Sequence, residues 1–198
     1  DTGNVAATVL SGIGATTGGV VTAANALTIT GTTEEITNAL VTESSLVVAS
    51  NGSAAVTFVG DNPTGAELAA INPKVSGTIT LADVTQVFTG TAAQMQAAFS
   101  GGLAGTQTGA VTISDTEGTI TATTLTDITA QTNGTVTAAA AGITISGNTT
   151  QLTAALVTEE TKAVVANGAV SISDTGNVAA TVLSGIGATT GGVVTAAN

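Results

Sequence analysis

The chain has 198 residues and a net charge of −11, with 13 acidic residues, two lysines, and no arginine, histidine, cysteine, tryptophan or tyrosine. Nucleic acids and anionic membrane surfaces require clustered cations, so this charge disfavours both as partners, and no apolar run approaches the ~20 residues of a transmembrane helix. Without cysteine there is no disulfide framework, and without histidine the usual base of nucleophilic catalysis is missing, so the composition predicts that the chain is not an enzyme.

The chain contains a perfect repeat. Residues 1–25 read DTGNVAATVLSGIGATTGGVVTAAN, and residues 174–198 read the same, at an offset of 173 residues. Within this period the run Ala55–Phe58 returns in diverged form at Ala110–Ile113 and Ala169–Ile172, which indicates three modules of about 57 residues. We expect the parent chain to continue on both sides. The predicted divisions are 1–54 (module A without its lead strand), 55–109 (module B), 110–168 (module C) and 169–198 (the start of the next module A).

Each module opens with an alternating run of apolar and hydroxyl-bearing residues, such as Val111-Thr112-Ile113-Ser114. A period of two predicts a half-buried strand. After an Asp, a Leu is followed three residues later by an Ile, as in Leu10 and Ile13. This spacing fits either a short helical turn or an irregular corner. A glycine and two further alternating runs follow, and they predict two more strands.

A capped helix closes each module. A Thr or Asn is followed three residues later by Glu or Gln, which is the pattern of a helix N-cap with its reciprocal N3 side chain. Apolar residues then recur on one helical face, as in Ile36, Ala39 and Leu40. The predicted capping pairs are Thr32 with Glu35, Thr91 with Gln94, and Asn148 with Gln151.

Strand, corner, strand and capped helix recur in every module. They make roughly two coils per module, or ~29 residues per coil, a length near that of solenoid coils with one strand and one short helix. The helices are long enough to serve as parallel crossovers. The sequence therefore predicts a β-rich repeat solenoid with parallel strands, short capped helices and α/β-type coils. The alternative is a string of small α+β modules of about 57 residues.

One acidic position recurs at the step from strand to loop. It is occupied by Asp1, Asp61, Asp115 and Asp174. A carboxylate in such a place can close an Asx-turn by accepting a hydrogen bond from the backbone. It can also be a calcium ligand, since calcium is bound by carboxylate and carbonyl oxygens. These four residues are the candidate metal ligands, and calcium is the candidate cofactor.

Threonines recur as Thr-x-Thr pairs. They occur at Thr28 and Thr30, Thr78 and Thr80, Thr119 and Thr121, and Thr135 and Thr137. Such pairs fit solvent-facing strand positions, and a flat ladder of them would resemble an ice-binding surface. The pairs do not fall at one fixed sequence spacing.

The recurring phrase that begins VTISDT at Val111, with the Leu/Ile corner, the T-x-G-x-V run and the capped helix, resembles repeats of giant cyanobacterial cell-surface proteins. These are type I-secreted motility and adhesin-like proteins. The resemblance implies an extracellular, calcium-rich location. It also implies a structural segment of a surface fibre, filament or matrix protein with a scaffold or adhesive role. Alternatives are a Thr-ladder ice-binding segment and a calcium-dependent adhesin extender. The expected partners are neighbouring repeats of the same chain and other copies lying beside it.

Overall fold

The computed structural model describes residues 3–23, 25–42, 47–49, 54–158 and 163–196. Two compact units divide the chain. The first consists of Asp1–Gln86 and Ala97–Thr106, and the second of Val87–Gln96 and Gln107–Asn198.

Short helices alternate with short strands along the described residues. The helices are α1 (Ala7–Thr16), α2 (Thr33–Leu40), α3 (Gly65–Ile71), α4 (Ala92–Phe99), α5 (Ala122–Thr129), α6 (Thr149–Leu152) and α7 (Ala180–Gly187). A 3-10 turn, Asn72–Lys74, follows α3, and a π-helical turn, Thr153–Val157, follows α6. The strands are β1 (Gly3–Ala6), β2 (Val21–Thr22), β3 (Leu27–Gly31), β4 (Val47–Val48), β5 (Ala55–Phe58), β6 (Ile79–Thr80), β7 (Phe88–Gly90), β8 (Val111–Ile113), β9 (Glu117–Thr121), β10 (Val136–Thr137), β11 (Gly142–Gly147), β12 (Ala163–Val164), β13 (Ala169–Ile172) and β14 (Val194–Ala196).

The strands form four parallel sheets. In the first unit the sheets have the orders β1-β3-β5-β6 and β2-β4, and in the second unit the orders β12-β10-β8-β7 and β14-β13-β11-β9. Every pairing between these strands is parallel. A parallel pair needs a crossover of about a dozen residues or more, and the short helices with their loops supply it.

The predicted period of two is confirmed where the strands pair in register. Ile29 lies beside Val56, and Val56 lies beside Ile79. All three side chains are fully buried. Residues on the other face of the same strands are half-buried or exposed. The sheet β1-β3-β5-β6 therefore buries a row of small aliphatic side chains on one face.

The predicted solenoid is wrong. A solenoid with one strand per coil would stack each strand on the preceding one in a single ladder. From β8 to β13, successive strands of the second unit instead alternate between two sheets. One sheet consists of β7, β8, β10 and β12, and the other of β9, β11, β13 and β14. Over the described residues the fold is mixed α/β, with four parallel sheets. The alternating pattern reports which face of a strand is buried, but it does not report which strand lies beside it.

The alternative prediction, a string of α+β modules of about 57 residues, is also wrong. The strand pairing is parallel and helices alternate with strands, which is α/β rather than α+β architecture. The sheet β1-β3-β5-β6 joins strands of the first two predicted modules. The predicted module boundaries describe how the sequence repeats, and the four-stranded sheets cross them.

The corner that the sequence left open is helical. Leu10 lies in α1, Leu68 in α3 and Leu125 in α5, each as a buried residue of its helix. Ile71 and Ile128, three residues after the leucines of α3 and α5, are fully buried as well. A Leu and an Ile three residues apart lie on the same helical face, so α3 and α5 pack that face into the core, whereas in α1 the isoleucine, Ile13, is 48% exposed.

Candidate functional site

The most elaborate recurring polar structure is the N-terminus of the capped helices. Thr32 Oγ1 accepts a hydrogen bond from the Glu35 amide at 3.3 Å, and Glu35 Oε2 accepts one from the Thr32 amide at 2.9 Å. These reciprocal bonds satisfy two amides that the helix itself leaves unpaired. The same arrangement is made by Thr91 with Gln94, by Asn148 with Gln151 and by Thr64 with Glu67.

The first three of these capping boxes confirm the sequence prediction. The fourth, at Thr64 ahead of α3, was not predicted, although its sequence has the same Thr-x-x-Glu spacing. It caps a corner helix rather than a module-closing helix. The sequence signal was therefore present and could have resolved the corner as a helix.

An Asp carboxylate from a later part of the chain accepts a hydrogen bond from the first amide of each module-closing helix. Asp61 Oδ1 accepts a hydrogen bond from the amide of Thr33, 28 residues earlier, at 2.9 Å. Asp115 Oδ2 accepts one from the Ala92 amide, 23 residues earlier, at 2.6 Å. Thr33 and Ala92 are the first residues of α2 and α4, so the Asp binds one of the two amides that the capping box leaves unpaired.

Asp174 makes the same connection to α6 with both of its oxygens. Its Oδ2 accepts a hydrogen bond from the Thr149 amide at 2.6 Å, and its Oδ1 accepts one from Thr149 Oγ1 at 3.3 Å, 25 residues apart in sequence. An anion here also interacts favourably with the positive end of the helix dipole. The recurring Asp is thus a tie between one segment of the chain and the helix of the segment before it.

This geometry bears on the calcium prediction. Asp61, Asp115 and Asp174 each lie at the N-terminus of a different helix, and Asp1 lies outside the described residues. Across the part of the chain that the structure describes, no three His, Cys, Asp or Glu side chains are close enough together to hold a metal ion. The structure does not bring the candidate ligands together, and calcium binding stays a prediction without a ligand set.

A second recurring tie lies at the corners and was not predicted as a site. Thr132 Oγ1 donates a hydrogen bond to the Gly109 carbonyl at 2.7 Å and accepts one from the Gly134 amide at 2.9 Å. A Cβ atom on Gly134 would overlap the Gly109 carbonyl oxygen. The corner therefore requires both the threonine hydroxyl and the bare glycine backbone.

The same Thr-x-Gly corner recurs in the final segment. Thr190 Oγ1 donates to the Gly168 carbonyl and accepts from the Gly192 amide at 3.0 Å, and a Cβ atom on Gly192 would overlap the Gly168 carbonyl oxygen. The sequence signal that could have identified this tie is the repetition of Thr-x-Gly at equivalent positions, Thr17 with Gly19 included.

Hydroxyl-bearing side chains form rows on the outward faces of the sheets. In the sheet that contains β7, β8 and β10, Thr112 lies between Thr89 on one neighbouring strand and Thr137 on the other. Another row runs through Thr30, Thr57 and Thr80. A third row runs through Thr121, Ser146, Ser171 and Thr195. Parallel neighbours in a sheet are about 4.8 Å apart, so strand pairing aligns hydroxyls whose sequence spacing is irregular.

The first unit also carries a shallow groove of about 370 Å³ between α3, its 3-10 turn and the Gly101-Gly102 loop. Its polar side chains are Asn72, Ser76 and Ser100. Asn72 Nδ2 donates to the Ala97 carbonyl at 2.8 Å, so this amide holds the groove together. Among the described residues, no acidic side chain and no lysine lines the groove.

Among the described helices, none is long and apolar enough to cross a membrane. Comparison with family models, curated proteins and solved structures finds no match to this chain.

Proposed function

We propose that the chain is a structural repeat segment of a long extracellular surface fibre, filament or matrix protein, with a scaffold or adhesive role. The observation that supports this proposal is the hydrogen bonding of the recurring Asp side chains. In all three described copies this residue binds the first amide of a helix 23 to 28 residues earlier in the chain. The Asp carboxylate in each copy therefore fixes one segment of the chain to another through these hydrogen bonds.

The composition supports the same conclusion. Tandem segments built from Ala, Val, Ile, Thr and Gly can be multiplied along a chain, because the Asp and Thr-x-Gly ties between them recur. The resemblance to cyanobacterial cell-surface repeats favours an extracellular position. A high net negative charge also keeps such a chain soluble at high local concentration.

Labelling of intact cells that produce the protein tests this proposal. An antibody raised against the chain should label the outside of unpermeabilised cells, and brief treatment of those cells with an external protease should remove the label. The control is an antibody against a cytoplasmic protein, which should label only permeabilised cells. Label that appears only after permeabilisation and survives protease would overturn the proposal.

The rows of hydroxyls favour one alternative, an ice-binding segment. Rows such as Thr89, Thr112 and Thr137 present hydroxyls at the regular spacing of a parallel sheet. Thermal hysteresis of the purified chain measures this activity. The Thr112→Val variant removes one hydroxyl from the middle of an exposed row and should lower any hysteresis. If the wild-type chain neither shapes ice crystals nor depresses freezing, the alternative fails.

A further inference from the structure

The chain contains three asparagines that are followed by glycine, in the pairs Asn51-Gly52, Asn133-Gly134 and Asn167-Gly168. In such a pair the asparagine carboxamide lies within reach of the next backbone nitrogen, and glycine has no Cβ to hinder their approach. Asn51 and Gly52 lie outside the described residues. The other two pairs have the same local chemistry but different surroundings.

The pair Asn133-Gly134 is held in place by hydrogen bonds and backbone packing. The Gly134 amide donates to Thr132 Oγ1 at 2.9 Å, and the Asn133 amide donates to the Gln107 carbonyl at 2.7 Å. The Gly134 backbone also packs directly against the Gly109 carbonyl. The Gly134 nitrogen is therefore engaged, and the backbone around it has no room to turn toward the Asn133 carboxamide.

The pair Asn167-Gly168 lacks this restraint. Asn167 is exposed, and its Nδ2 donates to the Ala139 carbonyl at 3.1 Å. Among the described residues, none accepts a hydrogen bond from the Gly168 amide. Gly168 is buried, but the atoms closest to an added Cβ there would be side-chain carbons of Ile143 and Val165, which can move more easily than backbone. The Gly168 nitrogen is thus freer to approach the preceding carboxamide than the Gly134 nitrogen is.

The other described asparagines are followed by residues that carry side chains. Asn62 and Asn72 precede prolines, which have no amide N–H. Asn148 precedes Thr149, whose amide donates to Asp174 Oδ2 at 2.6 Å. Sequence and tertiary structure together therefore single out Asn167 among the described asparagines.

We propose that Asn167 is a site of spontaneous covalent modification, at which the Gly168 nitrogen attacks the Asn167 carboxamide to form a cyclic succinimide. The bond from the Gly168 nitrogen to Asn167 Cγ forms as the bond from Cγ to Nδ2 breaks, and the amide proton leaves with Nδ2 as ammonia. Water then opens the ring at either of its carbonyls, which yields aspartate or isoaspartate. The net reaction exchanges ammonia for water and adds a negative charge.

The position of Asn167 gives this reaction a structural consequence. The carbonyls on either side of it hold the final Thr-x-Gly corner: the Ala166 carbonyl accepts a hydrogen bond from the Gly191 amide at 2.8 Å, and the Gly168 carbonyl accepts one from Thr190 Oγ1. Isoaspartate places an extra methylene group in the main chain between these two carbonyls. We expect the corner to loosen in molecules that carry isoaspartate, whereas aspartate leaves the main-chain length unchanged. The proposal goes beyond the structural role proposed above and does not depend on it.

Peptide mapping by mass spectrometry tests the site. The purified chain is incubated at mildly alkaline pH, once in native buffer and once in concentrated urea, and conversion of Asn167 and Asn133 is followed in the same samples. In native buffer Asn167 should convert several-fold faster than Asn133. In urea the two rates should be similar, because both asparagines precede glycine. Equal rates in native buffer, or a difference that persists in urea, would overturn the proposal.

The variant Gly168→Ala tests the chemical route. The sequence repeat places Ala54 at the equivalent position of module B, where it is fully buried, so alanine is compatible with this kind of corner. The added Cβ should slow conversion of Asn167 several-fold. Asn133 should convert as in the wild-type chain, and it serves as the control because unfolding would speed its conversion. Conversion of Asn167 at the wild-type rate would rule out attack by the Gly168 nitrogen.

Amide hydrogen exchange tests the structural consequence. Chains that carry isoaspartate at position 167 are separated from unmodified chains by chromatography. Their Gly191 amide should exchange faster than in unmodified chains, whereas the Gly134 amide, bound to Thr132 Oγ1, should be unchanged. Equal protection of the Gly191 amide in both forms would show that the modification does not loosen the corner.

Discussion

Replacement of Asp115 by Ala should destabilise the second unit by about 1.5–2 kcal/mol. The variant loses a 2.6 Å hydrogen bond to the Ala92 amide at a partly buried site. Hydrogen bonds to charged groups contribute about 1.5–3 kcal/mol, and partial solvation places this one toward the lower end. Asp115→Asn keeps an acceptor oxygen and loses only the charge near the helix dipole, so its cost should be about 0.3–1 kcal/mol.

Asp127→Ala provides the matched control. It removes the same charge from the same unit, and Asp127 makes only an exposed hydrogen bond, which it accepts from Gln96 Nε2 at 3.2 Å. Its effect should lie within about ±0.5 kcal/mol. The free energies are measured by urea unfolding followed by circular dichroism, with equal m-values as a condition for comparison.

Amide hydrogen exchange locates the effect. The Ala92 amide should exchange faster in Asp115→Ala than in the wild-type chain, whereas the Thr33 amide, bound by Asp61 in the other unit, should be unchanged. The reasoning is refuted if Asp115→Ala and Asp127→Ala have equal stabilities, or if protection of Ala92 survives the loss of the carboxylate.

Three further predictions concern other parts of the chain. Gly134→Ala should lower the free energy of unfolding, measured in urea, by more than about 2 kcal/mol, because the added Cβ would overlap a backbone carbonyl. Gly12→Ala, in open space within α1, should raise it by about 0.5–1 kcal/mol. Equal effects of the two substitutions would contradict the corner geometry. Ile186→Ala should cost about 2–5 kcal/mol, since Ile186 is fully buried, and Ile13→Ala, at the equivalent and 48% exposed position, should cost clearly less; comparable losses would show that the two copies share one environment. The side-chain and backbone hydrogen bonds from the threonine two residues on lower the pKa of Asp83. The contribution of Asp83 to stability is therefore present above the unfolded-state pKa and is lost as the pH falls through the lower folded-state pKa. Carboxyl NMR titration should show this lowered pKa, and a smaller lowering in the Thr85→Val variant, which loses the hydroxyl donor and keeps the backbone amide.

The helix ends could be predicted from the sequence because capping is local. Thr32 and Glu35 are three residues apart, and their spacing alone brings each side chain to the other's amide. The corner around Leu68 has the same kind of signal in Thr64 and Glu67. The partner of Asp115, by contrast, lies 23 residues away, and nothing near either residue identifies it.

The strands show the same division between local and distant information. The burial of Ile29 and Val56 follows from alternation along each strand. Which strands lie side by side depends on where the crossovers return the chain, and the predicted single ladder was therefore replaced by separate sheets. The alignment of hydroxyls into rows could not be predicted from the sequence either, because paired strands are not separated by a constant number of residues.

By itself, the sequence determined the repeat, the small aliphatic core, the half-buried strands and the capped helices, since each depends on residues within a few positions of one another. Only the tertiary structure decided the sheets, the Asp and Thr-x-Gly ties and the burial of each copy of the repeated segment. The perfect repeat demonstrates the physical reason. Ile13 and Ile186 have the same local sequence, yet one is 48% exposed and the other fully buried. Burial is set by the surfaces that the rest of the chain brings into contact with a side chain, and those surfaces differ between the two copies.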